Sequence, residues 1–423
     1  MLKNGGFLRN VLLLQKREIE LRFKEIFVRR EVDTHRAAGD LIKVILGPRR
    51  AGKSLLALHV AQALGPFGYV NFDDEVLSDV EDPHALLSAV DAVYGNPGRL
   101  LLDEVQNVPR WELLVNRLQR QGRDLILTGS NAHLLSSELA THLTGRHLPI
   151  VLFPFNFSEF LAARGGELTD AEKVEACREY AETGGYPEPL VKGIPHRDYL
   201  PTLWRSILYK DVVVRHRIRA PQGLEDLATW LLSNTAQRCN SRSLARSGTL
   251  RSAHTVDKYL RHLEEAFLLF PVRRFSFKLR EQARSDRKFY GTDNGLITST
   301  AFRFSPDLGK LYENLVAIAL HRHRLVGALE LFYWHGTAQE EVDFVVKKGL
   351  RVTQLIQVCG DIGDPRRRSR ETRALVKASA DLACDDLLLL TERSSGEEEV
   401  SWFGRKGTIR IRPVWQWLLE EGR

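Results

Sequence analysis

One short run carries the most recognisable chemistry: Gly47, Pro48, Arg49, Arg50, Ala51, Gly52, Lys53 and Ser54 fit GxxxxGK[ST] at each defined position. A phosphate chain held by backbone N–H groups needs a loop whose amides turn inward, and Gly47 and Gly52 permit that path. Lys53 then reaches β- and γ-phosphates and the Ser54 hydroxyl ligates Mg²⁺. Leu55 follows in the first turn of a helix whose N-terminus adds partial positive charge. Arg49 and Arg50 read as exposed loop residues that contribute backbone to the cradle rather than catalysis. Downstream, Arg99-Leu-Leu-Leu-Asp-Glu104 is an apolar run ending in two carboxylates. Asp103 is placed to hold Mg²⁺, directly or through water, and Glu104 to polarise an attacking water as general base. A kinase acting on a metabolite has no need of that second carboxylate, so the pair points to hydrolysis. In Leu127-Thr-Gly-Ser-Asn131, Ser130 and Asn131 are candidates to sense the γ-phosphate or orient the water, with Thr128 part of the strand. A turn capping a helix over 132–140 explains the same residues equally well. Arg146 reads either as a transition-state cation, in cis or from a neighbouring subunit, or as an arginine facing water at a strand start.

The elements needed to position these groups are visible as hydrophobic runs. Leu41-Ile-Lys-Val-Ile-Leu46 reads as a strand, 53–64 as a helix apolar on nearly all faces, and Gly65-Pro66 as its stop. Further strands are expected at 68–72, 99–102, 124–128 and 147–153. Strands separated by helical stretches imply a mainly parallel sheet covered on both faces, an α/β fold.

The chain of 423 residues is 43% hydrophobic and 27% charged, the balance of a globular protein of about three domains. No apolar run reaches the ~18 residues of a membrane span, and the N-terminal run 11–14 is too short for a secretory signal. Cys177, Cys239, Cys359 and Cys384 are scattered without a CxxC pair, which favours a reducing cytoplasm over a disulfide framework or structural zinc. The formal charge of +7 is unevenly spread. Residues 201–300 hold 18 Lys plus Arg against 9 Asp plus Glu, a surplus of +9, and the remainder sums to −2. The basic character therefore belongs to one segment, expected to meet a polyanion.

Asp103-Glu-Val-Gln-Asn-Val-Pro-Arg-Trp111, Leu127-Thr-Gly-Ser-Asn131, Leu143-Thr-Gly-Arg146, Phe153-Pro-Phe-Asn-Phe-Ser-Glu-Phe160 and Thr183-Gly-Gly-Tyr-Pro187 occur in that order. Together they resemble the prokaryotic AAA-family ATPases that carry a C-terminal domain of restriction-endonuclease-like fold. The resemblance implies ATP and Mg²⁺ as ligands and four regions: a P-loop parallel-sheet ATPase core (1–165), a helical lid (166–220), a winged-helix region (221–300) and a C-terminal α/β nuclease-like domain (301–423). It also places Tyr186 and Pro187 near the nucleotide base; spacing alone makes that segment a turn.

Within the basic segment, helices are expected over 224–234, 241–248 and 252–270, the arithmetic of a helix-turn-helix, followed by a basic β-hairpin wing over 273–280 and 284–290. Arg246, Arg251, His254, Lys258 and Arg261 fall on or beside the third helix, where they would meet DNA phosphates without reading sequence. An internal clamp on the nucleotide domain is the competing role.

In the C-terminal region a helix over 311–320 and strands over 331–334, 341–346 and 352–358 resemble the order in which nucleases of this fold present a helix Glu, a strand Asp and a Glu-x-Lys pair to metal. Glu313 and Asp343 match the first two positions, but Gln357 and Cys359 stand at the others. A neutral amide is a poor Mg²⁺ ligand and a thiol cannot replace an ammonium, so nuclease activity is not expected. Lys347 or Lys348 would be the relocated lysine were the domain active. The leading reading is an ATP-hydrolysing switch or motor on or near DNA. Alternatives are a nucleotide-gated signalling protein and an ATP-coupled nuclease. Action of Arg146 in trans would require a homo-oligomer.

Overall fold

The computed structural model describes residues 5–32, 39–78, 80, 82–131, 146–250, 252–300, 307–337, 339–402 and 404–421. Two compact units divide the chain, Met1–Pro154 and Phe155–Arg423. No helix among the described residues is long and apolar enough to cross a membrane.

In the first unit, α1 (Gly5–Arg22) precedes β1 (Ile42–Leu46), α2 (Lys53–Ala63), β2 (Gly68–Asn71), α3 (Pro83–Tyr94), β3 (Arg99–Asp103), α4 (Trp111–Arg120), β4 (Asp124–Gly129) and β5 (His147–Val151). The strands form one parallel sheet in the order β2-β3-β4-β1-β5. All five residues of β1 are buried, as a central strand covered on both faces requires. Leu56, Ala57, Val60 and Ala61 of α2 pack with Ile45, Leu101, Ile126 and Ile150 of the sheet, and Ile19 of α1 joins the same cluster. Each such Leu or Ile stabilises by roughly 1.5–3 kcal/mol relative to exposure. At the N-terminal edge, the buried Lys43 donates to Asp124 Oδ1 at 2.6 Å while Arg99 Nε holds Asp124 Oδ2 at 2.6 Å, tying β1, β3 and β4. β1 lies between β4 and β5, where the strand order reverses. The crevice outside the carboxyl ends at such a point is where open α/β sheets bind ligands.

The second unit opens with α5 (Phe157–Arg164), α6 (Asp170–Thr183), α7 (Pro187–Lys192), α8 (His196–Ser206) and a π-helical stretch over Ile207–Val214. The motif around Phe153–Phe160 acquires a local cause: Asn156 and Glu159 form a capping box on α5, and Phe157 and Phe160 pack on Tyr180 of α6. There follow α9 (Pro221–Ser233), β6 (Arg238–Cys239), α10 (Ser241–Ser247), α11 (Ala253–Glu265), β7 (Leu269–Arg274), α12 (Leu279–Arg284), β8 (Arg287–Gly291) and α13 (Asn294–Thr300). Then come α14 (Leu308–Leu325), β9 (Glu330–His335), β10 (Glu341–Lys348), β11 (Arg351–Val358), α15 (Pro365–Leu382), β12 (Leu387–Thr391), β13 (Gly396–Trp402), β14 (Arg405–Pro413) and α16 (Val414–Glu421). One mixed sheet runs β13-β14-β12-β11-β10-β9-β7-β8-β6.

That strand order changes the expected wing. β7 and β8 do pair antiparallel, Leu269 opposite Gly291, but α12 occupies the connection. β7 also pairs in parallel with β9, Arg273 opposite Phe332, across the expected boundary at 300/301. A lone hairpin exposes unpaired backbone at its edges, and here β9 pairs along β7 while the two-residue β6 pairs along β8. The third helix ends at Glu265, where the sequence suggested 270, because Leu269 and Phe270 enter the strand. All four cysteines are buried and free.

Candidate nucleotide site

Parallel register brings four strand ends to one edge: Leu46 lies opposite Gly129, and Asp103 opposite Asn71. The loop leaving β1 therefore faces the carboxylates leaving β3. Gly47 is demanded by close approach, since a Cβ there would lie 1.9 Å from the Leu152 carbonyl oxygen. Gly52 caps α2 with φ 94°, a left-handed position that favours glycine. Arg50 is exposed in the loop, also with positive φ, and Arg49 lies 3.9 Å from Asp73. Arg30 pins the loop from outside: Nη1 donates to the Ala51 carbonyl at 2.8 Å and Nη2 to the Phe153 carbonyl at 2.6 Å.

Lys53 is buried at the start of α2; its Nζ donates to the Pro48 carbonyl at 2.9 Å and lies 3.9 Å from Glu104 Oε1. One residue on, Ser54 Oγ donates to Asp103 Oδ1 at 2.9 Å. Tyr69 Oη donates to Asp103 Oδ2 at 2.9 Å, and Thr128 Oγ1 donates to Asp103 Oδ1. The Thr128 oxygen in turn accepts from the Glu104 backbone N–H at 2.9 Å. Glu104 sits at φ 52°, ψ 46°, a strained conformation for a non-glycine residue, costing roughly 1–3 kcal/mol. The 3₁₀ turn after it folds Gln106 back so that Nε2 donates to Glu104 Oε2 and, at 3.3 Å, to Ser130 Oγ. Two adjacent carboxylates thus have different environments. Burial, then the charge of Glu104, pushes Asp103 above its ordinary range. Burial also pushes on Glu104, but the Lys53 ammonium, the Gln106 amide and Arg49 outweigh it and hold the carboxyl below its usual range.

Mg²⁺ fits this donor set. Ser54 and Asp103 present hard oxygens already within one hydrogen bond of each other, and the Asp103–Glu104 pair carries one negative charge more than Lys53 cancels. Ser130 is buried and touches the Glu104 carboxylate through its hydroxyl and Gln106; Asn131 follows, partly buried. The segment 132–145, including the expected helix and Leu143-Thr-Gly145, lies outside the described residues. Arg146 is described, and its position removes the cis reading. Its carbonyl accepts from Ile42 N at 3.1 Å, its side chain is exposed, and His147 pairs with Ile42 at the N-terminal edge of the sheet. Four residues of β1, ~13 Å at the rise of a strand, separate that edge from the loop. Sequence reasoning missed Arg30, Tyr69 and Gln106, and gave Thr128 no task beyond its strand. Only Gln106, two residues after Glu104 with a turn between, left a local signal.

Tyr186 and Pro187 lie in the second unit. Pro187 opens α7, and Tyr186 is fully buried with no surface to present to a base. The preceding glycines are explained by packing: a Cβ on Gly184 would lie 2.2 Å from Asp293 Oδ1 and one on Gly185 2.2 Å from the Phe155 carbonyl oxygen. Gly185 N donates to Asp293 Oδ2 at 2.7 Å.

On α11, Val256, Tyr259, Leu260 and Leu263 are buried, while His254, Lys258 and Arg261 form an exposed stripe at i, i+4, i+7; Arg246 is exposed on α10. Asp257, beside that stripe, is engaged by Arg287 at 2.9 Å. Arg251 lies outside the described residues. In the C-terminal sheet Glu313 and Asp343 do come together, but the cation between them is Lys288 of β8, at 3.1 and 3.0 Å. Lys347 is instead paired with Glu330 at the surface and Lys348 is exposed, so neither is a relocated lysine. Cys359 is buried, its Sγ on the Asp361 carbonyl at 3.1 Å.

Comparison with known proteins follows the same division. An AAA domain family matches residues 40–161, and a domain of unknown function (DUF8612) matches 174–307. Among solved structures, similarity extends to the Walker-type ATPase PABY2304 of Pyrococcus abyssi (15% identity, TM-score 0.44, 65% of this chain and 96% of that one). It extends also to the RuvB Holliday junction branch migration motor of Thermotoga maritima (19% identity, TM-score 0.28, 56% of this chain and 84% of that one). An uncharacterized Haemophilus influenzae protein is 30% identical over 73% of this chain and 80% of its own length. The uncharacterized protein MJ1544 of Methanocaldococcus jannaschii is 31% identical over 89% of this chain and 88% of its own length. The chain is an AAA-domain protein of P-loop ATPase fold and belongs to the family that includes these two relatives.

Proposed function

We propose that the chain hydrolyses Mg-ATP at the 47–54 loop and uses the cycle as a switch or motor on or near DNA. The observation that carries hydrolysis is Glu104: a half-buried carboxylate kept ionised by Lys53 and aimed by Gln106, one residue from the Asp103–Ser54 pair. Ser54 and Asp103 would hold Mg²⁺, which when bound would supply neutralisation of phosphate charge. Lys53 exchanges the Pro48 carbonyl for a phosphate oxygen, and Glu104 accepts the proton of the attacking water. Ser130 keeps Glu104 in register and Asn131 orients the water. Arg146 acts only from a neighbouring subunit, which makes a homo-oligomer part of the proposal.

DNA contact is supported by the +9 surplus of residues 201–300 and by the exposed His254, Lys258 and Arg261 stripe. One observation favours the signalling alternative: β7 and β8 are built into a larger sheet instead of projecting as a free wing. Steady-state ATPase with and without single- and double-stranded DNA separates the two. The proposal expects DNA to stimulate turnover, and expects affinity to fall steeply between about 50 and 200 mM salt. Lys258→Glu with Arg261→Glu should abolish that stimulation while leaving basal turnover intact. Indifference to DNA selects the signalling reading, and absence of hydrolysis overturns both as enzymes.

A further inference from the structure

The second unit holds a buried charge cluster that ATP chemistry does not use. Lys288 of β8 is 1% exposed, and its Nζ lies 2.6 Å from Glu341 Oε1, 3.0 Å from Asp343 Oδ1 and 3.1 Å from Glu313 Oε1. Glu341 and Asp343 reach it together because residues two apart on β10 share a face. The ammonium donates to Glu313 and Asp343 and is ion-paired with Glu341, so three carboxylates surround it. Each carboxylate also has a second partner. Tyr290 Oη donates to Glu313 Oε1 at 2.8 Å, Arg238 Nε lies 3.2 Å from Glu341 Oε2, and Val358 N donates to Asp343 Oδ2 at 3.1 Å. The charges nearly cancel: three carboxylates face Lys288 and Arg238, and burial together with the charge of Asp343 moves Glu313 toward its protonated form.

Glu313 and Asp343 are the two groups that a nuclease-like sheet would offer to a divalent ion. We infer that Lys288 is the resident cation of this cluster: its ammonium fills the seat a metal would take, and the site is a metal-independent lock between β8, β10 and α14. The spacing agrees, because 2.6–3.1 Å is the range of charge-assisted hydrogen bonds, whereas Mg²⁺ draws oxygens to about 2.0–2.1 Å. The third position of the pattern is spent as well. Gln357 Oε1 accepts from Asp343 N at 3.0 Å and its Nε2 donates to Glu371 Oε2 at 2.8 Å. A divalent ion added beside Lys288 would set like charges together in a buried site, where repulsion is poorly screened. The residues present therefore do not fit the metal that the nuclease resemblance implies.

The test uses the full chain without nucleotide and Mn²⁺ as probe, followed by calorimetry and thermal unfolding. Wild type and Asp343→Asn are expected to bind Mn²⁺ identically, any shared background belonging to sites away from Asp343, such as the nucleotide loop or the His216, His262 and Glu265 group. Lys288→Ala is expected to lose Tm and to regain it on addition of Mn²⁺, and the regain should vanish in Lys288→Ala with Asp343→Asn. Mn²⁺ bound by wild type and lost in Asp343→Asn would overturn the inference, as would a folded Lys288→Ala that gains no Mn²⁺ site. If Lys288→Ala cannot be isolated folded, the comparison of wild type with Asp343→Asn still decides. The readout is independent of ATP turnover, so this inference and the ATPase reading can fail separately.

Discussion

Lys53 and Lys288 are both buried lysines beside carboxylates, yet their surroundings suit opposite ends. Lys53 Nζ donates to a neutral loop carbonyl at 2.9 Å and stands 3.9 Å from Glu104. A carbonyl can be exchanged for a phosphate oxygen at little cost. Lys288 is held by three carboxylates at 3.1 Å or less, charged partners that a neutral ligand cannot replace. The difference extends to the acids. At the nucleotide loop Glu104 is held ionised. In the second unit, burial moves Glu313 and Asp293 toward the protonated form. A buried charge becomes a ligand site where its partners are replaceable and a structural lock where they are not.

Single truncations should expose the contrast most strongly. Lys288→Ala strands buried carboxylates and is expected to cost about 3–5 kcal/mol of unfolding free energy. Lys53→Ala should cost much less stability and instead remove ATP binding. Denaturant unfolding of the two variants side by side checks this; equal costs would erase the distinction.

A smaller effect concerns pH. Asp293 accepts from Gly185 N, Gly295 N and Leu296 N, yet burial pushes it up from 3.8 to about 6. The folded state therefore binds a proton that the unfolded chain has already released. The stability this contributes is complete below the ordinary value and is lost as pH rises through the folded one, by up to ~3 kcal/mol. Other carboxylates shift the total curve, so the quantity to measure is the difference in slope between wild type and Asp293→Asn across that window. The variant should lack the decline, and an unchanged slope would show that Asp293 is ionised throughout.

The candidate nucleotide site is legible in the sequence because the residues that compose it are local. Gly47 to Ser54 and Asp103-Glu104 are contiguous runs, and the strands that present them are unbroken apolar stretches. Arg30 and Tyr69 were not legible, because their contacts with Ala51 and Asp103 cross 21 and 34 residues. Lys288 was hidden for the same reason on a larger scale: it lies 55 residues from Asp343 in a segment whose basic composition suggested a DNA-facing wing. The pairing of β7 with β9 is what carries that segment into the C-terminal sheet, and a long-range strand pair leaves no periodicity to read. Arg146 failed in cis for a reason the sequence does carry, since a parallel strand must start at the edge opposite the loop.

The central claim is that Glu104 activates water at a loop that binds ATP independently of it. Glu104→Gln, measured for ATP binding and for turnover in one preparation, tests it directly. The expected result is retained ATP affinity with kcat lowered by about 10²–10⁴-fold. Turnover within a few-fold of wild type, at equal affinity, would contradict the account.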